Sequence, residues 1–326
     1  LHDDNFWQFE GQAATRVTSG VCLNRLADRL PNLIGGSADL APSTKTEMKD
    51  KGWIKPGDFT GHNIHFGVRE FAMAAIANGL ALHGGLRVFC STFFVFSDYL
   101  KASLRLSAIM KLPVIYVFTH DSIGVGEDGP THEPIEHLAA LRATPNVTVF
   151  RPADGKETAA GYLTALQQDG PTCLILSRQN LPTLAETSSD AMKGGYVLRQ
   201  VENPDLILMA SGSEVEIILA AADRLTAKGY AVQVVSLPSF ELFEAQSSEY
   251  KNSVLPRQIR HRLAVEAGAT QPWYRYTGLD GQVIGLDHFG ASAPAEILYQ
   301  QYGLTVEHVT DQAVQLLAAA VGHDET

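Results

Sequence analysis

Two histidines, His120 and His132, close the two ends of the stretch His120-Asp121-Ser122-Ile123-Gly124-Val125-Gly126-Glu127-Asp128-Gly129-Pro130-Thr131-His132. Between them stand three glycines and three acids. Imidazoles and carboxylates move protons, and glycines let a backbone come close to a ligand. The stretch follows Val114-Ile115-Tyr116-Val117-Phe118, which has the clearest buried-strand pattern in the chain. Open α/β sheets bind ligands where their strands end. A single histidine in a polar loop reads most simply as a surface residue. Two of them around a glycine-rich turn at the end of a central strand point to chemistry.

Other residues invite the same weighing. Glu70 falls in the first turn of an apolar, Ala-rich helix over 67–83. Alone, such an acid only complements the helix dipole, worth ~0.3–1 kcal/mol. Phe93, Phe96 and Tyr99 are spaced i, i+3, i+6 along a helix expected over 93–110, the spacing by which helices bury aromatics. Arg16 sits on an early helix and Arg178 at a strand end. Each alone reads as a structural surface arginine, although the guanidinium fork also suits phosphate.

The elements that must position these residues alternate between short apolar runs and helical periods, as in a mostly parallel sheet covered by helices. Val17, Val21, Leu26 and Leu30 give an early helix stripe. Strands are expected over 33–36, 88–91, 114–118, 147–150 and 173–176, with a helix over 157–167. Residues 181–195 are polar and without period. A second series follows: strands over 206–209, 232–235, 263–266 and 283–286, a helix capped by Ser213 running to about Lys228, and a closing helix over 306–321. The fold class is therefore α/β with two domains, over 1–185 and 197–326, joined by a linker over 186–196.

The 326 residues fit two cores better than one. A net charge of −11 argues against nucleic acid or an anionic membrane as partner, though not against a small anion held by placed arginines. No stretch is long and apolar enough for a membrane span. Cys22, Cys90 and Cys173 are scattered with no C-x-x-C, which points to reduced, cytoplasmic thiols and no metal site in the chain. The start at Leu1, in what reads as a surface lead-in over 1–10, gives the expectation that the chain is a processed or recombinant piece of something longer.

The loop from Thr119 to His132, with Gly-Gly-Ser-Ala-Asp-Leu-Ala-Pro-Ser (35–43), His-Phe-Gly-Val-Arg-Glu-Phe-Ala-Met (65–73), Leu-Ser-Arg-Gln-Asn (176–180) and Phe-Gly-Ala-Ser-Ala-Pro (289–294), resembles the transketolases in order and spacing. The resemblance runs from about Ala14 to the C-terminus. It implies the family's pyrimidine-binding and C-terminal domains, with thiamine diphosphate as cofactor and a role in the pentose phosphate pathway. By it, Glu70 protonates the cofactor's aminopyrimidine ring, Phe93, Phe96 and Tyr99 pack that ring, and Asp39 lies nearby. Arg16, Ser43, His120 and Arg178 become donors to a sugar phosphate substrate. Asp128 would hold a sugar hydroxyl, and His132 the carbonyl oxygen or developing alkoxide. A homodimer is implied.

The family's Gly-Asp-Gly signature, which helps hold Mg2+ or Ca2+ and the diphosphate, does not occur here. The resemblance thus implies a diphosphate-binding domain supplied in trans or lost by truncation, and a chain inactive alone. The nearest alternative is the β-type subunit of a 2-oxo acid dehydrogenase, which has no need of a distal phosphate site. Deoxyxylulose phosphate synthases match the Thr119–Gly124 stretch less well. A non-catalytic dimerisation or regulatory remnant is the alternative from another class.

Overall fold

The computed structural model describes residues 4–321. A short strand, β1 (Gln12–Ala13), precedes the Thr15–Ala27 helix. Six strands follow: β2 (Leu33–Ser37), β3 (Asn63–His65), β4 (Arg87–Phe93), β5 (Val114–Thr119), β6 (Thr148–Phe150) and β7 (Thr172–Leu176). They form one sheet in the order β3-β2-β4-β5-β7-β6, with every neighbouring pair parallel. β8 (Leu181–Pro182) returns to pair antiparallel with β1. The second sheet holds β9 (Tyr196–Arg199), β10 (Leu206–Ala210), β11 (Val232–Ser236), β12 (Arg262–Val265) and β13 (Gln282–Ile284), in the order β13-β12-β10-β11-β9. Only β9 runs antiparallel there.

Strand alternation explains why both sheets are buried on two faces. In β5, Val114, Tyr116 and Phe118 enter one core cluster, and Ile115 and Val117 the opposite one. In β10, Leu206 and Leu208 divide from Ile207 and Met209 in the same way. A period of two with both faces apolar is how a strand reads when helices cover both sides. Each such aliphatic side chain contributes roughly 1.5–3 kcal/mol through burial.

Several local expectations shift. Of the proposed stripe on the first helix, Val17 and Val21 are part-exposed, Leu30 lies past the helix end, and the buried face is Thr15, Thr18, Ser19, Cys22, Leu23 and Leu26. The helix expected over 67–83 starts at Glu70, because Gly67 takes a positive φ of 74° in the preceding turn. Phe93 ends β4, and Phe94–Phe96 form a 3-10 turn before the Ser97–Met110 helix. Ser213 does not cap the Glu214–Ala227 helix, since its hydroxyl is spent on Glu214 and Arg151. The polar stretch over 181–195 is pinned rather than loose: β8 pairs with β1, and Thr187 donates to Asp154. Residues 1–3 of the lead-in lie outside the described residues, and Phe6 beyond them is buried.

The two sheets face each other through buried ions. Arg151, fully buried just after β6, donates from Nε to Asp121 at 2.9 Å and from Nη1 to the Ser211 carbonyl at 2.7 Å. The same Nη1 also donates to Glu214. Beside it Arg142 grips Glu266 in a bidentate pair at 2.6 and 2.9 Å, with Trp273 Nε1 donating to the same carboxylate at 2.8 Å. Burial alone would push Glu266 up, but Arg142 and Arg151 hold it down at about 2. Asp121 and Arg142 follow β5 of the first sheet, and Glu214 and Glu266 follow β10 and β12 of the second, so the network joins the two sheets. Removing one member of a buried pair leaves the other charge uncompensated, at a cost of ~3–5 kcal/mol. Arg151→Met should lower unfolding stability by about that amount in urea titrations. A loss below ~1 kcal/mol would mean that the network carries little of the stability.

Candidate functional site

Because the first sheet is wholly parallel, its strands end on one edge, and the candidate residues follow those ends. Asp39 and Ser43 come after β2, Glu70 after β3, Phe96 and Tyr99 after β4, His120 to His132 after β5, and Arg178 after β7. Arg16 arrives from the first helix, whose start is sewn to the end of β7. There Thr15 and Ser177 exchange hydrogen bonds between backbone amide and hydroxyl at 2.9 and 2.7 Å.

The aromatic residues form a ledge. Phe93 lies 3.7 Å from the His120 ring and 6.0 Å from Phe96, centroid to centroid. Phe96 meets the edge of His132 at 5.4 Å and Tyr99 at 6.1 Å. Tyr99 itself is 67% exposed, so the ledge opens outward. Glu70 is buried at its side, and its only side-chain partner among the described residues is the Thr92 hydroxyl, at 3.5 Å. That contact is too long to satisfy a carboxylate. An apolar ledge beside a buried, underused carboxylate suits a flat heteroaromatic ring with one protonatable nitrogen.

The two arginines near the ledge are not ion-paired among the described residues. Arg16 donates to the Ser43 carbonyl at 2.6 Å, and its Nε is buried without a partner. Among the described residues, neither Arg16 nor Arg178 has a carboxylate within ion-pair distance. Burial lowers the Arg16 pKa, and Arg178 lowers it further. Burial also pulls His120 down to about 3, helped by Arg16, Arg178 and His132, so its imidazole is neutral at physiological pH. Thr119 Oγ1 holds its Nδ1 at 2.8 Å, and Thr131 Oγ1 holds that of His132 at 2.9 Å. His120 and Asp39 both have positive φ, 64° and 59°. Non-glycine residues in that region are strained, a condition that gathers at binding sites. Asp39 and Asp128 are exposed, and neither carboxylate bonds to another described residue. The structure therefore brings together the rings, the two arginines and both histidines, and leaves those two acids free.

Sequence reasoning missed the residues that hold the loop in place. Asp121 is tied to Arg151, and Gly124 lies against Gln179, whose carboxamide a Cβ there would overlap. Tyr299 donates to Glu214 at 3.0 Å on the second sheet's side, and its hydroxyl meets Gln179, just after β7, at 3.4 Å. Glu133, next to His132, is buried and packed where a Cβ on Gly290 would collide with it. Its adjacency to His132 was the one available signal; Tyr299 and Glu214 had none, being far away in sequence.

The fold is that of an α/β protein, and its sheet edge gathers rings, an underused carboxylate, a neutral imidazole and unneutralised arginines, an arrangement chemically suited to a ring beside an anion. The transketolase pyrimidine-binding domain signature matches residues 11–183, and the transketolase-like C-terminal domain signature matches 194–305. The chain belongs to the transketolase family. It is 55% identical to the Bacillus subtilis transketolase over 311 residues, which is 93% of this chain and 47% of that protein. A Pichia stipitis transketolase solved with sedoheptulose 7-phosphate superposes with a TM-score of 0.92 at 44% identity, over 95% of this chain and 47% of that one. A chain described as a split-gene transketolase, an inactive beta4 tetramer, superposes with a TM-score of 0.76 at 27% identity, over 94% of this chain and 98% of that one. The chain thus spans about half the length of the curated relatives it matches.

Burial pushes the Glu133 carboxyl up to about 7, with the Ala291 amide pulling weakly the other way. An unfolded glutamate titrates near ~4.3. Between those values the folded chain keeps a proton that the unfolded chain has lost, so stability falls as pH rises through this window and levels off above it. Glu157, also raised to about 7, adds a slope of the same sign. Glu133→Gln should therefore flatten the stability–pH curve relative to wild type between pH ~4.5 and ~7 without abolishing it. Identical curves would place Glu133 in contact with water.

Proposed function

We propose that this chain is the catalytic half of a transketolase, taking part in transfer of a two-carbon ketol unit from a ketose phosphate to an aldose phosphate. The observation that carries this reading is the pair Arg16 and Arg178, unopposed by any described carboxylate in a chain of net charge −11. A cationic pocket in an acidic protein is what a phosphorylated ligand requires, and a 2-oxo acid leaves that pocket without a purpose. In this reading Glu70 holds a proton at the aminopyrimidine nitrogen of thiamine diphosphate, while Phe93, Phe96 and Tyr99 pack its ring and Asp39 lies close by. When bound, the cofactor supplies the carbanion chemistry that protein side chains lack. Ser43 joins the arginines at the phosphate, Asp128 orients a hydroxyl, and His120 and His132 hydrogen-bond the sugar's oxygens.

The sequence contains no Gly-Asp-Gly, so Mg2+ or Ca2+ and the diphosphate would be held by another domain or chain. The split-gene relative, described as inactive, supports the reading that a chain of this extent does not turn over alone. We take the domains to be 1–185 and 197–326 about a linker at 186–196, and the compartment to be cytoplasmic. Val68, Phe71, Ile76, Tyr99, Leu106 and Ile109 are exposed apolar residues on and beside the Glu70–His83 and Ser97–Met110 helices. A second copy of the chain would cover them in a homodimer.

A charge-assisted bond is worth ~1.5–3 kcal/mol, roughly tenfold to over a hundredfold in affinity. In the assembled enzyme, Arg16→Ala or Arg178→Ala should weaken phosphorylated donors by that factor and leave hydroxypyruvate much less affected. Equal losses for both substrates would sink the phosphate assignment. Glu70→Gln should cost ~10²–10⁴ in turnover with little change in melting temperature. Retention of more than about half the activity would remove Glu70 from proton transfer.

A further inference from the structure

Asp98, Glu136 and His137 take no part in the reading above. His137 opens the His137–Arg142 helix and is 5% exposed, yet neither ring nitrogen makes a hydrogen bond. Its nearest acids are Asp98, 3.3 Å from Nε2, and Glu136, 3.8 Å from Nδ1. The Phe94 ring walls it at 5.5 Å. One donor atom from each of the three residues falls within 4.8 Å of the others.

The plainest account is an imidazole lying between two carboxylates, each placed near the start of a helix. An N–H···O bond, however, runs ~2.7–3.2 Å, and both contacts exceed it. Ligands 2.0–2.2 Å from a tetrahedral ion stand about 3.3–3.6 Å apart, which matches the Asp98–His137 spacing. Asp98 and Glu136 approach opposite ring nitrogens, but a single imidazole nitrogen with an oxygen of each acid within 4.8 Å, in a buried ring that lacks a hydrogen-bond partner, is a nitrogen and oxygen donor set for a borderline divalent ion. Sequence reading expected no metal site because it searched among cysteines, and this set contains none.

We propose that Asp98, Glu136 and His137 bind one divalent transition ion, with zinc as the probe and water completing the shell. The site is structural. It clips the start of the Ser97–Met110 helix to the start of the His137–Arg142 helix, and Asp98 immediately precedes Tyr99 of the ring ledge. The clip depends on neither the cofactor nor the sugar, so it stands apart from the transketolase reading.

Calorimetry with zinc chloride on the metal-stripped chain should find one ion per chain. Cobalt in its place should give the intense visible bands of a four-coordinate site. Loss of an outer-shell partner weakens metal sites by ~10–100-fold, so loss of a ligand in His137→Gln or Asp98→Asn should weaken zinc at least that much. The cobalt bands should disappear, and zinc should raise the melting temperature of the wild type alone. If the buried His137→Gln change prevents folding, Asp98→Asn at an exposed side chain carries the test. Saturable binding that is unchanged in the variants would assign the ion to other histidines and overturn the proposal. Absence of saturable binding would leave His137 as a ring packed between two acids and overturn it too.

Discussion

Arg151 is the constraint on which the rest of the arrangement turns. It is a cation with no access to water, and its desolvation is tolerable only because Asp121 and Glu214 are in place. Asp121 follows His120 directly, and Glu214 opens the helix that follows β10 of the second sheet. One guanidinium therefore fixes both the course of the glycine-rich loop and the docking of the two sheets. Gly212 follows from the same demand, since a Cβ there would fall 2.6 Å from the Arg151 guanidinium carbon. Tyr299 completes the contact by donating to Glu214 from a third element.

From that anchored loop the pocket spreads along a single edge. A parallel sheet delivers every strand end to the same side, so residues scattered from Ser43 to Arg178 converge without long excursions. The seam at Phe93–Phe96 makes the ledge stiff. Phe93 is still in β4, Phe96 is in a 3-10 turn, and Tyr99 is in the helix beyond. Each ring is thus placed by a different backbone conformation.

Much of this was legible in the sequence. The apolar runs marked β4, β5, β7 and β10 through β12 because two-sided burial leaves an unbroken hydrophobic signature. The loop from His120 to His132 stood out because glycines, imidazoles and acids rarely meet without a reason. Other features left no local trace. The turn between β4 and its helix was read as helix, because Phe93, Phe96 and Tyr99 satisfy helical spacing whatever the backbone does between them. Val17 and Val21 were read as part of the helix stripe, and apolar residues at helical spacing do not say which face is inward. The contacts of Arg151 with Glu214 and of Tyr299 with Glu214 span 63 and 85 residues, and no periodicity reports a contact across that distance.

The uncovered faces of the Glu70–His83 and Ser97–Met110 helices tie this chain's fate to its abundance. Val68 is 77% exposed and Ile109 57%, and water meets them wherever no other surface does. Apolar patches of that kind are sticky, and a binding event that hides them stabilises the folded state by mass action. Where the surface that hides them is a second copy of the chain, thermal resistance depends on how much protein is in the tube. A dilute sample and a concentrated one are, in that respect, different materials made from the same sequence.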